Sequence, residues 1–212
     1  MPDTTPPPSS AASRTRHRGV AWVLRASDAL LAIERRALGG LMALLVALIL
    51  LNVVTRYGGA PLYWVDEASV YCVVWLTFVG ASAMTRLRLD FSVGLLTDRF
   101  SGRGRRAARA VASGGVLVFG LALLAMCWLW MDPLGIARMG FDAREYAAES
   151  FNFLYTERTQ TLEWPLWVLQ LTIPLFALGM SVHALANLLE DLGLALPRAY
   201  AEFHVATADA VN

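Results

Sequence analysis

"YWVDEASVYCVVWLTFVGASAM", residues 63–84, decides how the chain is read. Two acids, Asp66 and Glu67, and a tryptophan, Trp64, stand at the mouth of a run that then carries no charge from Ala68 to Thr85. An uncharged apolar run of about 18 residues is the signature of a membrane span. Three further runs of this kind lie in the chain: about 38–54, 111–131 and 164–189. Hydrophobic residues make up 57% of the 212 positions. That exceeds the roughly 45–50% of soluble domains. The expected fold class is all-α, an integral membrane four-helix bundle.

Arginine sets the orientation. All 18 basic residues are Arg, with no Lys, and the net charge of +1 gives no nucleic-acid footprint. Thirteen arginines lie before the first run or between the second and third, against four in the two remaining connections. By the positive-inside rule both termini and the 86–110 loop face the cytoplasm. The turn 57–67 and the loop 132–163 then face outward. Residues 1–19, rich in proline and lacking an apolar core, are expected as a disordered cytoplasmic tail, with 20–190 as the membrane domain and 191–212 as a second cytoplasmic tail. Residues 20–36 read equally as an amphipathic helix in the headgroup plane, anchored by Trp22, or as an extension of span 1. Gly39-Gly40 would mark the bend in the first case. The basic stretch 98–106 suits anionic inner-leaflet lipid. Pro174, inside the fourth run, should kink it.

The chemistry the spans can support is limited. Their expected polar residues are His183, Asn52, Gln170 and Asn187, with no carboxylate at membrane depth. His183 is expected as a neutral histidine hydrogen-bonded to a neighbouring helix. Haem ligation needs paired axial ligands, and His17 and His204 stand in the tails. Ser181 and His183 are two apart and point to different helix faces, so they do not form a nucleophile–base pair. No phosphate-binding GxxxxGK[ST] loop occurs. Cys72 and Cys127 both fall inside spans and read as small buried hydrophobes. No catalytic set, cofactor or metal site is expected, and a bundle of this kind works by packing against something else. Gly80-Ala81, Gly114-Gly115 and Gly120 are small-residue patches that permit close helix contact, within the bundle or with a partner.

The stretch 52–81 resembles the small membrane subunit of tripartite ATP-independent periplasmic (TRAP) transporters. The residues that carry the resemblance are Asn52, Arg56-Tyr57, Pro61-Leu62, Trp64, Asp66-Glu67, Trp75, Phe78 and Gly80-Ala81. Pro165, Trp167 and Pro174 extend it more loosely to the last span. Asp90 and Gly94 depart from the His and Asp that relatives commonly carry after the basic turn. The resemblance implies three components: a periplasmic substrate-binding protein for an organic acid, a large multi-span permease driven by sodium, and this small subunit bracing the permease and helping to dock the binding protein. Its expected interface residues are Asn52, Arg56, Tyr57, Trp64, Asp66, Glu67, Trp75, Phe78, Gly80 and Ala81. Arg56 and Glu67, at facing ends of one hairpin, are expected to pair. The acidic outer loop, with Glu145, Glu149 and Glu157, is the expected contact for the binding protein. The alternative is a free-standing tetraspan channel or envelope regulator.

Overall fold

Leucine, alanine and valine dominate the first apolar run and favour helix. The computed structural model, which describes residues 10–88, 102–196 and 198, continues that helix far beyond the run in the N-terminal direction. Helix α1 spans Ser10–Tyr57, 48 residues without a break. At 1.5 Å per residue it is about 72 Å long, more than twice the roughly 30 Å of a hydrocarbon core. The bend expected at Gly39-Gly40 is absent, because glycine permits a bend without compelling one and the helical hydrogen bonds run through it. Residues 20–36 are therefore an extension of span 1 and not a separate interfacial helix. The reason is packing: Leu24, Ser27, Leu31 and Glu34 recur on one helical face and are buried against the bundle, while Trp22 on another face is exposed. The helix also begins at Ser10, inside the stretch expected to be a disordered tail.

The other long helices are α2 (Tyr63–Leu87) and α3 (Gly102–Met131). Two short helices, α4 (Pro133–Arg138) and α5 (Ala143–Ser150), lie in the outer loop. The fourth apolar run is split into α6 (Leu166–Gln170) and α7 (Thr172–Asp191). Proline 174 accounts for the split, since it has no N–H for the carbonyl of Gln170 four residues back. Among the described residues, four helical stretches are long and apolar enough to cross a membrane: 18–57, 63–87, 104–138 and 166–191.

Helix α7 is the centre of the packing. It lies against α1, α2 and α3, and α3 packs chiefly on α7. Two glycines set these approaches. A Cβ on Gly179 would stand 2.5 Å from Ser82 Oγ of α2, and one on Gly120 would stand 2.5 Å from Ser181 Oγ of α7. Gly80 is in ordinary contact range of Leu38, whereas Gly114 and Gly115 face open space. Phe78 and Phe176 meet edge-on, with ring centroids 5.3 Å apart, across α2 and α7. Leu48, Val65 and Cys72 form the core between α1 and α2, and Cys72 Sγ donates to the Leu41 carbonyl.

The outer loop is folded. Asp132 caps α4 through Gly135 N–H, and Asp142 caps α5 through the N–H groups of Arg144 and Glu145. Tyr155 Oη donates to the Met131 carbonyl at 2.6 Å, and Asn152 Nδ2 to that of Trp130 at 2.7 Å. These bonds satisfy carbonyls that the end of α3 leaves without helical partners. Asp90, Gly94 and most of the C-terminal tail lie outside the described residues, as does the basic stretch from 98 to 101.

Candidate functional site

Polar side chains collect at the two ends of the bundle. At the outer end, Asn52 and Arg56 are one turn apart on α1 and so share a face. Asp66 in the first turn of α2 lies opposite them. Asp66 Oδ2 accepts from Arg56 Nη2 at 2.6 Å and Oδ1 from Asn52 Nδ2 at 2.5 Å. Arg56 Nε also donates to Asn52 Oδ1 at 2.8 Å. The three close a ring across the hairpin turn, which Gly59 makes with a φ of 75°. The expected Arg56–Glu67 pair is thus replaced by Arg56–Asp66. One residue along a helix turns a side chain by about 100°, so Asp66 faces α1 and Glu67 faces elsewhere.

Glu67 reaches the outer loop instead. Its carboxylate accepts from the backbone N–H groups of Gln160 at 2.9 Å, Thr161 at 2.7 Å and Leu162 at 3.0 Å. The Thr161 hydroxyl adds a fourth bond at 2.5 Å. A loop 93 residues away in sequence is thereby stapled to the N-terminal part of α2.

Trp64 and Tyr57 are exposed at this outer end, Tyr57 almost wholly so. Trp75, Phe78, Gly80 and Ala81 lie deeper, along α2, and do not join the outer ring. Glu145, Glu149 and Glu157 are all exposed, on α5 and the segment after it.

The inner end carries a second cluster, which sequence reasoning did not assemble. His183 is fully buried. Its Nδ1 lies 2.8 Å from Ser27 Oγ and its Nε2 3.0 Å from Glu34 Oε2. Ser82 Oγ donates to Glu34 Oε1 at 2.5 Å. Beyond it, Arg86, 2% exposed, donates to Asn187 Oδ1 at 2.5 Å and to Glu190 Oε1 at 2.7 Å. Arg88 closes α2 in the left-handed conformation and pairs with Asp191, which also accepts from Ser113 of α3. Asp28 of α1 lies 3.9 Å from Arg86 and pairs with Arg198. All four long helices are tied here. The expected hydrogen-bonded His183 is found, and beside it Glu34, Glu190 and Asp191 are buried carboxylates that the sequence reading did not place in the interior. Each of these sits just beyond the end of an expected span, where a charge reads as solvated. The available signal was spacing: 183, 187, 190 and 191 share a face of α7, as 27, 31 and 34 share one of α1.

Ser27, His183 and Glu34 have the order of a hydrolase triad. Such a site needs a nucleophile that a substrate can reach and donors for its oxyanion. Ser27 and His183 are fully buried, and neither lines a described cavity. The arrangement ties α1 to α7.

Comparison with known proteins agrees with this architecture. The family described as "Tripartite ATP-independent periplasmic transporters, DctQ component" matches residues 45–194. The C4-dicarboxylate TRAP transporter small permease protein DctQ of Vibrio cholerae serotype O1 is 25% identical over 127 residues. That match covers 59% of this chain and 55% of the relative, so the aligned region spans about half of the curated protein's length. No solved structure matches. The family match takes in the last part of α1 and everything from α2 through α7, including the outer ring and the α2, α3 and α7 members of the inner cluster, and on that ground the chain belongs to the DctQ component of the tripartite ATP-independent periplasmic transporters, a multi-pass inner-membrane transporter component and not an enzyme.

Proposed function

We propose that the chain is the small accessory subunit of a TRAP-type secondary transporter. It braces a large multi-span permease, helps dock a periplasmic substrate-binding protein, and so serves sodium-driven uptake of an organic acid. The observation that carries this reading is the division of labour in the bundle. Polar groups are spent on tying helices together at both ends, while large apolar side chains of α1 and α3 stand exposed along their length. Such faces suit lipid or another membrane protein. The interface residues Asn52, Arg56 and Asp66 hold the outer hairpin, and Glu67 holds the loop that would meet the binding protein. The arginine distribution supports a cytoplasmic side for both termini and a periplasmic side for this loop.

The test is purification of the tagged chain from its native membrane in mild detergent, with mass spectrometry of what accompanies it. A large polytopic permease in one-to-one amount is expected. Recovery of the chain alone, or only with copies of itself, would sink the accessory-subunit reading.

A further inference from the structure

The tip of the outer loop concentrates main-chain donors on one point. The successive N–H groups of Gln160, Thr161 and Leu162 all reach the Glu67 carboxylate, at 2.9, 2.7 and 3.0 Å. The Thr161 hydroxyl is the fourth donor. Oε1 takes the Gln160 N–H and Oε2 takes the other three, so both carboxylate oxygens are engaged. Successive N–H groups that converge in this way make a concavity suited to an anion.

The loop has bonds of its own that do not involve Glu67. Thr159 N–H donates to the Trp164 carbonyl at 2.9 Å, and Trp164 N–H returns to Thr159 Oγ1 at 3.0 Å. Leu166 N–H donates to the Glu157 carbonyl at 3.0 Å, and Arg158 Nη1 to the Glu163 carbonyl at 2.9 Å. Glu163, with a φ of 54°, turns the chain back so that Arg158 and Pro165 bridge. Thr159 is buried, whereas Gln160 and Thr161 are exposed. The base of the loop is thus clamped by its own backbone, and Glu67 meets only the solvent-facing tip. Withdrawing Glu67 leaves three N–H groups and a hydroxyl in place without that acceptor.

We propose that residues 160–162 form a carboxylate-binding site in their own right, that Glu67 is its tethered resident ligand, and that a free small carboxylate takes the site when Glu67 is withdrawn. Acetate is the matching probe. Its methyl and carboxylate carbons replace the Cγ and Cδ that Glu67→Ala removes, and its two oxygens can divide the donors as Glu67 does. Chloride has the charge without the paired oxygens. A tethered group has an effective concentration that a dilute acid does not match, so the wild-type site is closed to acetate. The site is made by this chain alone and does not depend on the accessory-subunit reading.

The experiment is amide exchange at single-residue resolution, at constant pH and ionic strength, on the full chain purified from its native membrane with whatever accompanies it. Glu67→Ala should speed exchange at 160–162 and leave Thr159, Trp164 and Leu166 protected. Acetate at a few times its dissociation constant should then slow 160–162 by about three- to fivefold, with no response in the wild type. Thr161→Val in the Glu67→Ala background removes one donor to a charged group and should weaken acetate roughly tenfold. Equal slowing by chloride would reduce the effect to salt and overturn the site. So would an absence of any acetate effect while Thr159, Trp164 and Leu166 stay protected. Loss of protection at those three in Glu67→Ala would show that Glu67 shapes the loop, and the proposal falls on that result too.

Discussion

Arg56 has two neighbouring carboxylates at the mouth of α2 and bonds to one of them. Asp66 completes a ring with Asn52 and Arg56, while Glu67 holds the outer loop by three backbone N–H groups and a hydroxyl. Their substitutions should therefore separate. Glu67→Gln is expected to speed amide exchange in residues 158–164 and leave the ends of α1 and α2 protected, whereas Asp66→Asn should do the reverse. Hydrogen-exchange mass spectrometry reads both, and identical exchange maps would contradict the division. At the inner end, Arg86 and Glu190 are both buried. Removing one partner takes the nearest countercharge from the other in a buried site, so Arg86→Ala or Glu190→Ala should each cost up to about 3–5 kcal/mol, seen as a lowered midpoint of thermal unfolding in detergent. Replacing both by leucine should restore much of the loss. The motif residues around 52–67 were legible one by one in the sequence, but their pairing was not. Adjacent acids look interchangeable along a line of letters, and only the helical turn between them assigns their partners.

Elements here are held by close approach as much as by apolar area. Gly179 and Gly120 stand where an added methyl would meet Ser82 or Ser181 and force the helices apart. Gly179→Ala and Gly120→Ala should each destabilise the bundle by roughly 1–3 kcal/mol, while Gly114→Ala, facing open space, should be neutral or stabilising. Thermal unfolding of the three variants side by side checks this. In the outer loop, the N–H groups of Glu145 and Arg144 hold the Asp142 carboxyl below its usual range. A lowered value in the folded state means that the cap contributes fully above the ordinary Asp range and is lost as pH falls through the lowered value. Protection of α5 amides, corrected for intrinsic exchange, should thus be flat down to mildly acidic pH and decline below it. Asp142→Ala should abolish that decline. Uncharged length made the four apolar runs legible, and Pro174 made the break in the last one legible. The reach of α1 was left open between two readings because arginines and acids between Arg25 and Arg36 look like a surface segment, when one face of that segment supplies Ser27 and Glu34 to the interior.

On the scale of the whole molecule, the bundle is a set of helices gathered on α7, tied at two ends and apolar between. Glu145, Glu149 and Glu157 stand exposed on the outer loop, and Glu67 fixes part of that loop to the membrane helices. Neutralising the three to glutamine should reduce uptake by the assembled transporter while permease recovery stays normal. Loss of assembly instead would place these acids in the subunit interface. Composition and the four uncharged runs made the class readable from the sequence. The inner cluster was not readable, because its members come from four separate stretches and each looks solvated in its own. That separation also bears on synthesis. Ser27 and His183 are 156 positions apart, and translation at about 5–20 residues per second leaves roughly 8–30 seconds between their appearances. The outer ring, whose members Asn52 and Asp66 are 14 apart, is complete almost at once. A nascent chain therefore closes the outer ring early, and Glu34 and Arg86 gain their partners on α7 only when the final span is delivered. A ribosome stalled before that span leaves a product in which Glu34 and Arg86 lack the partners that α7 supplies.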